Sequence, residues 1–192
     1  MKYFKKIEGK RLYLSPLNIE DAETYLKWLC DRSVTEGTHG VHRVYNLETE
    51  KEWIENEMKK GRYTFSIVLK ENDKLIGNCS IMNPNFIDGT AELGIFIGEE
   101  HYRNNGYGNE ALKLLIDYGF NILRLHNINL HVFDFNKRAI ECYKKIGFKE
   151  YGRRHECYFL DGKYHDQISM EILIDDYKKN NWLIFNYSFL FY

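Results

Sequence analysis

The sequence predicts a mixed α/β domain of the α+β class, with a central, twisted and mostly antiparallel sheet, one parallel βαβ crossover and flanking helices. The strand-like segments 63–69, 74–82 and 91–97 follow one another across short turns, which is typical of an antiparallel meander. A helical pattern at 107–121 then leads to another strand-like segment at 127–133. This strand–helix–strand order predicts the parallel crossover.

The segments before the meander predict one strand and two helices. Segment 11–14 alternates along its length, as a short strand does. Segments 19–30 and 47–60 carry apolar residues at helical spacing, and residues 49–52 (TEKE) fit a capping box that opens the second helix. Segment 31–46 has no period and is predicted to be a long loop.

The segments after the crossover predict a short helix and a closing hairpin. Segment 137–146 has a helical pattern that ends at Gly147, because glycine is favoured just past a helix C-terminus. Segments 148–160 and 163–174 flank Asp161-Gly162, a strong turn signal for a β-hairpin. The predicted order is therefore βαα, three antiparallel strands, a βαβ unit and a final hairpin.

The length of 192 residues suits one domain with a single sizeable core. We expect residues 1–177 to form this domain. Residues 178–192 are predicted to be an aromatic C-terminal tail that packs on the domain or on a partner subunit. Six aromatic residues fall within the last 11 positions: Trp182, Phe185, Tyr187, Phe189, Phe191 and Tyr192.

Composition excludes several classes of protein. The net charge of -1 argues against nucleic acid as the main partner, which usually requires a basic surface. The chain has no apolar run long enough to span a membrane and no secretory signal pattern, so we expect a cytoplasmic protein without a membrane role. The four cysteines and seven histidines show no metal-binding spacing, so no metal site is predicted.

The most informative segment lies between the third strand of the meander and the next helix. It consists of Arg103, Asn104, Asn105, Gly106, Tyr107 and Gly108. Glycine lets the backbone approach a ligand closely, and the start of a helix offers unpaired N–H groups and a positive dipole end. The segment therefore predicts a cradle for a phosphate or pyrophosphate, with Arg103 as an additional fixed charge.

A dinucleotide site is an alternative interpretation of the same turn. Gly106, Gly108 and Ala111 match GxGxxA, and Asp134 lies about where a ribose-binding acid would be. A nucleotide-binding oxidoreductase is therefore a local rival hypothesis. The single crossover between antiparallel strands counts against it, because a doubly wound fold needs several βα units.

Three segments in order resemble the GNAT superfamily of N-acetyltransferases. Residues 103–108 fit the family's [QR]xxGx[GA] acetyl-CoA signature, residues 92–95 fit the strand before it, and residues 136–148 are similar to the following Asn…Ala…Tyr…Gly-Phe segment. The resemblance covers about residues 11–174, and the ribosomal-protein N-terminal and spermidine acetyltransferases look most similar. It implies a GNAT-like fold and direct transfer of an acetyl group from acetyl-CoA to a primary amine in a ternary complex.

The resemblance suggests catalytic roles for two residues. Glu92 is the candidate base, acting directly or through water on an amine that is mostly protonated near neutral pH. Tyr143 is the candidate general acid that protonates the leaving thiolate. The simpler interpretations are an exposed strand residue for Glu92 and a packed core residue for Tyr143.

The same resemblance suggests contacts to acetyl-CoA. Phe96 and Ile97 would flank a strand bulge that pairs with the pantetheine arm, and a backbone N–H near Ile97 would stabilise the oxyanion. Asn136 is either a helix N-cap or a pantetheine contact. Arg138 either meets the 3′-phosphate or is a surface charge.

The acceptor amine is left open among protein N-termini, polyamines and amino-sugars. Glu36, His39 and His42 of the loop 31–46 are the candidates that would hold it. His131 is predicted to be a core histidine. A homodimer is possible, and a non-catalytic CoA-binding protein is a further alternative.

Overall fold

The computed structural model describes residues 2–179. Its strands and helices, in chain order, are β1 (Ile7–Glu8), β2 (Leu12–Pro16), α1 (Ala22–Leu29), α2 (Arg32–Thr35), α3 (Leu47–Lys59), β3 (Tyr63–Leu69), β4 (Leu75–Asn85), β5 (Thr90–Ile97), α4 (Tyr107–Asn121), β6 (Asn127–Phe133), α5 (Lys137–Ile146), β7 (Lys149–Leu160) and β8 (Lys163–Leu173). Single 3₁₀ turns at Ile19–Asp21 and Glu100–Tyr102 precede α1 and α4.

The strands form one eight-stranded sheet in the order β1-β2-β3-β4-β5-β6-β8-β7. Neighbouring strands are antiparallel except β5 and β6, which are parallel and joined by α4. This confirms the predicted mostly antiparallel sheet with one parallel crossover. Among residues 2–179, no helix is both long and apolar enough to cross a membrane.

The strands β5 and β6 part after a short stretch of pairing. They are paired only from Thr90 with Asn127 to Glu92 with Asn129. Beyond Glu92, β5 continues to Ile97 along β4, and β6 continues along β8, so the two strands face each other without pairing. We call this opening in the sheet the gap.

The two faces of the sheet carry separate apolar clusters. Helices α4 and α5 pack on one face, where the cluster includes the fully buried Leu115, Ile128 and Met170. Helices α1 and α3 cover β2 and β3 on the other face, through side chains that include Tyr25 and Ile54. The cluster under α4 and α5 also includes residues of β2 and β3, so these helices cover both halves of their face, whereas α1 and α3 cover only one half of the other face.

On the same face, next to α1 and α3, strands β5, β6 and β8 carry a polar surface that is bordered by a small third apolar cluster. Residues paired across neighbouring strands share a face, so the register places Glu92 beside Asn129. Two residues along β6, His131 lies on this face opposite Ser169 of β8. We call the surface formed by Glu92, Asn129, His131, Ser169 and Gln167 the polar face.

Two short elements were not predicted. Strand β1 has two residues, held to β2 by pairs such as Ile7 with Leu14. Helix α2 is a single turn inside the predicted loop 31–46. It begins because the Asp31 side chain accepts a 2.8 Å hydrogen bond from the Ser33 N–H. Neither element is long enough to show a hydrophobic period.

The predicted capping box at residues 49–52 is wrong. The N-cap of α3 is Asn46, whose side chain accepts a 2.9 Å hydrogen bond from the Thr49 N–H. The Thr49 hydroxyl oxygen in turn accepts a bond of 3.4 Å from the Asn46 N–H. Thr49 is therefore the third helical residue of a reciprocal box rather than its cap.

Asn46→Ala is expected to lower the free energy of unfolding by about 1 kcal/mol, because it leaves the Thr49 N–H without its acceptor. Glu52→Ala is the control, because this exposed side chain has no hydrogen bond or ion pair within residues 2–179; its effect should stay within about 0.5 kcal/mol. Urea unfolding measures both. A larger loss for Glu52→Ala would restore the box at 49–52.

The predicted aromatic tail lies outside the described residues from position 180 onward. Just before it, Tyr177 is buried, and its ring centroid lies 5.3 Å from that of Phe120 of α4. The packing of the tail stays a prediction.

Candidate functional site

The turn between β5 and α4 has the backbone conformation of an anion cradle. Asn104 has φ of 64° and Gly106 has φ of 77°, both in the left-handed region. A non-glycine side chain at Gly106 would be strained, and its Cβ would lie 3.4 Å from Arg11 Nη2. Left-handed residues within a turn direct successive N–H groups toward one side.

The N–H groups of residues 104–109 have no acceptor among the described residues. The first bonded N–H of the helix belongs to Glu110, which donates to the Gly106 carbonyl at 3.0 Å. These free donors lie at the N-terminus of α4, which is the positive end of the helix dipole. The arrangement suits a phosphate or pyrophosphate, as the sequence predicts. We call residues 103–109 the anion turn.

Arg103 is bonded to the protein rather than left free for an anion. Its Nε donates to the Ile97 carbonyl at 3.0 Å and its Nη2 to the Gly98 carbonyl at 2.8 Å. Its Nη1 donates to Ser33 Oγ at 2.9 Å. This differs from the direct anion contact expected of Arg103 and gives it the role of holding the turn.

Sequence reasoning missed Arg11, which supports the anion turn from β2. Its Nε donates to Glu110 Oε2 at 2.8 Å and its Nη1 to the Asn105 carbonyl at 2.9 Å. Its guanidinium lies 4.2 Å from the centroid of the Tyr107 ring. Arg11 and Tyr107 also line a surface cavity of about 350 Å³. Nothing local in the sequence marks Arg11, because its partners are nearly 100 positions away.

The start of α5 lies beside the anion turn. Asn136 is the N-cap of α5, and its side chain accepts the Ala139 N–H at 3.2 Å, which confirms the cap interpretation. Arg138 is exposed, and its Nη1 donates to Asn104 Oδ1 at 3.4 Å. A positive charge therefore stands at the rim of the turn.

The bulge that Phe96 and Ile97 were expected to flank begins after Ile97 rather than between the two residues. The β4–β5 register is continuous from Glu92 to Ile97, and the irregularity follows it: the N–H groups of Gly98 and Glu99 both donate to the Ile76 carbonyl, at 2.9 and 3.3 Å. The Phe96 side chain packs on α1, with its ring centroid 6.0 Å from that of Trp28. The backbone of Phe96 and Ile97 still lines the gap.

Glu92 lies where the gap begins. It is the last residue of β5 paired with β6, and its half-buried carboxylate has no hydrogen bond or ion pair with any residue of the described chain. Beside it, Asn129 Nδ2 donates to the Ala91 carbonyl at 3.1 Å. Glu92 is therefore an unpaired acceptor at the edge of the polar face.

Tyr143 lies on α5, on the opposite face of the sheet from Glu92. It packs against the apolar cluster of α4 and α5, and its ring centroid lies 5.9 Å from that of Phe148. Burial raises the pKa of Tyr143 to about 12, and the Cys142 thiol beside it acts in the same direction. Its hydroxyl makes no hydrogen bond within the described part of the chain. The hydroxyl is thus a protonated and uncommitted donor.

The loop 31–46, which we call the long loop, covers part of the polar face through His39. The His39 ring lies edge-on to Phe133 at 4.8 Å and to Tyr158 at 5.6 Å between centroids. Its Nε2 lies 3.2 Å from Gln167 Nε2, which is an amide donor. Burial, followed by the nearby Arg43 charge, lowers the pKa of His39, while the Glu92 charge opposes this shift.

The other two loop candidates lie farther toward the hairpin of β7 and β8. His42 Nε2 lies 3.1 Å from the Phe159 carbonyl, and the Glu36 carboxylate lies 3.8 Å from Arg32 Nε. Arg32 also pairs with Asp161 in the hairpin turn. The structure therefore brings His39 to the polar face and uses His42 to fasten the loop.

His131 is not a core histidine, so that prediction is wrong. Its side chain is exposed on the polar face, and its Nδ1 lies 3.0 Å from Ser169 Oγ. The strand alternates buried and accessible positions, and no helix covers its outer half. Asp134, the acid of the dinucleotide hypothesis, lies 3.1 Å from His165 Nδ1 through its Oδ1.

Comparison with known proteins gives one family. The family described as "Acetyltransferase (GNAT) domain" matches residues 11–149. Spermidine N(1)-acetyltransferase of Vibrio cholerae is 36% identical over 111 residues, which are 58% of this chain and 64% of that relative. N-acetyltransferase p20 of Bacillus licheniformis is 28% identical over 88% of this chain and 96% of its own length.

A solved structure has the same fold over most of the chain. It is spermidine N-acetyltransferase from Vibrio cholerae in complex with CoA and spermine, with 26% sequence identity and a TM-score of 0.79. The superposition covers 87% of this chain and 98% of that one.

Proposed function

Since this chain belongs to the GNAT family of acetyltransferases and uses acetyl-CoA as co-substrate, we propose that the amine it acetylates is a primary amine of a polyamine. The family and its N-acetyltransferase relatives support acetyl transfer to an amine, and they do not favour an oxidoreductase. The topology agrees, because the sheet has one parallel pair rather than the several of a doubly wound fold.

The structural observation that supports acetyl transfer to a primary amine is the unpaired Glu92 carboxylate at the start of the gap. A primary amine like that of lysine has a pKa of about 10.4, so nearly all of it is protonated at neutral pH and cannot attack a thioester. A carboxylate without a competing partner can bind the ammonium group and accept its proton, directly or through water.

The positions of Glu92 and Tyr143 suit the two proton transfers of this reaction. Glu92 belongs to the polar face, whereas Tyr143 approaches from the face of α4 and α5. At the gap β5 and β6 are not paired, so groups from the two faces of the sheet can reach the same point. We therefore place the thioester at the gap, with the amine on the polar face and the leaving sulfur toward Tyr143.

The anion turn supplies the contacts for the acetyl-CoA diphosphate. The free N–H groups of residues 104–109 bind it, and Arg138 adds a charge at the rim that suits the 3′-phosphate. The backbone of Phe96 and Ile97 lines the gap, where an N–H near Ile97 would stabilise the oxyanion. Asn136 acts through its cap, which fixes the start of α5.

The polyamine is favoured over the other amines by the two spermidine acetyltransferase matches. A screen of acetyl transfer to spermidine, a peptide with a free N-terminus and glucosamine, with thiol release as readout, tests it. Faster turnover of spermidine supports the proposal. Faster turnover of another amine would contradict the polyamine assignment and identify that amine as the substrate class. CoA binding without any acetyl transfer would favour a non-catalytic CoA-binding protein.

Gly106→Ala is expected to weaken CoA binding more than it weakens the fold. An alanine in the left-handed region costs about 1–2 kcal/mol, and strain at Gly106 falls on the N–H groups of the turn. Gly61→Ala is the control, because Gly61 also has positive φ and lies in open space away from the turn. Calorimetric titration with CoA and thermal unfolding measure both effects. Equal CoA affinity in the two variants would contradict a cradle at residues 104–109.

The finer assignments stay predictions. They are the single domain over residues 1–177, a cytoplasmic location, a homodimer, and holding of the amine by Glu36, His39 and His42. The amine-holding role is best supported for His39, because it reaches Gln167 of the polar face.

A further inference from the structure

We propose that Arg103 is a positioning residue through which the anion turn and the long loop respond to acetyl-CoA as one unit. The inference rests on the proposed function in one respect, since it takes the acetyl-CoA diphosphate to bind the anion turn. It concerns how binding on one side of the gap prepares the amine side.

A single planar group joins three separate parts of the chain. The Arg103 guanidinium donates to the carbonyls of Ile97 and Gly98, where β5 ends at the gap, and to Ser33 Oγ in α2. Its Nη1 also lies 3.4 Å from the Ser33 carbonyl. Lysine has one nitrogen and could not span these acceptors, whereas the rigid fork of arginine fits them.

The contact with Ser33 leads directly to the polar face. Helix α2 ends at Thr35, and His39 follows four positions later in the same long loop. The His39 ring packs on Phe133, and its Nε2 meets the Gln167 amide. A shift of α2 would therefore change the position of His39 on the polar face.

The charge of Arg103 connects this path to the ligand. Its partners are carbonyl and hydroxyl oxygens, and it forms no ion pair with a carboxylate of residues 2–179. The Asp31 carboxylate lies close enough to interact electrostatically with this charge, and an anion bound on the adjacent N–H groups would further lower the cost of keeping it in place. When CoA orders the turn, Arg103 should become ordered, then Ser33, and then the long loop. By linkage, the amine should raise the affinity for CoA by the same factor by which CoA raises the affinity for the amine.

Hydrogen–deuterium exchange with and without CoA tests the inference in the full chain. Saturating CoA should slow exchange in segment 31–46 by about 5-fold or more in the unmodified protein. In Arg103→Lys, CoA should still protect residues 104–109, while the CoA-dependent protection of 31–46 falls below about 2-fold. Ser33→Ala should show the same selective loss and serves if Arg103→Lys does not fold.

Arg62→Lys is the matched control, because Arg62 pairs with Glu57 away from the turn and should keep the full CoA-dependent protection. A purely structural role of Arg103 would speed exchange of 31–46 equally with and without CoA, and that result overturns the proposal. So does full CoA-dependent protection in both variants. Failure of spermidine acetylation would remove the polyamine assignment alone, since the exchange experiment uses CoA without an amine.

Discussion

Tyr143→Phe is expected to lower kcat by about 10²–10⁴-fold and to leave the Kd for CoA nearly unchanged, because the substitution removes only the hydroxyl that protonates the leaving thiolate. The hydroxyl has no hydrogen-bond partner within the described residues, so its loss leaves no other group unsatisfied. Steady-state kinetics with saturating acetyl-CoA and calorimetric titration with CoA measure the two quantities.

The raised pKa of Tyr143 gives this expectation a pH dependence. Its donor form is the protonated one, and a pKa of about 12 keeps it protonated well above neutral pH. The rate of the unmodified enzyme should therefore not fall between about pH 8 and pH 10, where a tyrosine with an ordinary pKa near 10 would begin to lose its proton. Because a thiol is a stronger acid than this phenol, full proton transfer to the thiolate is uphill, so Tyr143 stabilises the departing sulfur by donating a hydrogen bond and any tyrosinate that forms regains its proton from solvent.

Tyr118→Phe is the control for this substitution. Tyr118 lies on α4, half-buried against Phe65, and its pKa is also raised by burial. It is away from the gap and should keep full activity. An unchanged kcat in Tyr143→Phe would show that the thiolate takes its proton from another source, such as water.

Glu92→Gln is the second change with a large expected effect, a loss of about 10²–10⁴-fold in kcat at neutral pH. The amide keeps the shape of the side chain and cannot accept the ammonium proton. The defect should shrink as the pH rises toward about 10.4, because the amine then loses its proton in solution. The pH profile of kcat/KM for both proteins measures this recovery.

Glu171→Gln is the matched control, because Glu171 lies opposite Asn129 on the same face and accepts a 2.7 Å hydrogen bond from Asn127. It should keep most of the activity at every pH. A deficit in Glu92→Gln that does not vary with pH would assign Glu92 to binding the amine rather than to deprotonating it.

The elements between strong local signals were predictable to the residue. Helices α4 and α5 have the predicted bounds, 107–121 and 137–146, because Gly106 and Gly147 adopt the left-handed conformation that their sequence context indicates. The start of α3 at residue 47 was predicted, but its capping box was assigned three residues too late, because two overlapping polar patterns compete there and only the fold shows that Asn46 is the cap. The two shortest elements depend on pairing and capping rather than on periodicity.

The site likewise contains features that a local sequence pattern predicts and features that depend on contacts between distant residues. The free N–H groups of the anion turn follow from a local glycine pattern, and the sequence predicted them. The bonds of Arg103 to Ser33 and of Arg11 to Glu110 join residues 70 and 99 positions apart, and no local pattern encodes them. The exposure of His131 depends on which half of the sheet the helices leave uncovered, which is a property of the topology.

Without a ligand, the gap leaves two unpaired strand edges inside the sheet, one on β5 and one on β6. Unpaired edge strands are templates for pairing with other chains, and most proteins protect them. An extended ligand lying between β5 and β6 would act as a missing strand and close both edges. Loss of acetyl-CoA should therefore do more than stop the reaction: it should leave a form that associates more readily, so the cellular supply of the co-substrate would also control the colloidal stability of the protein.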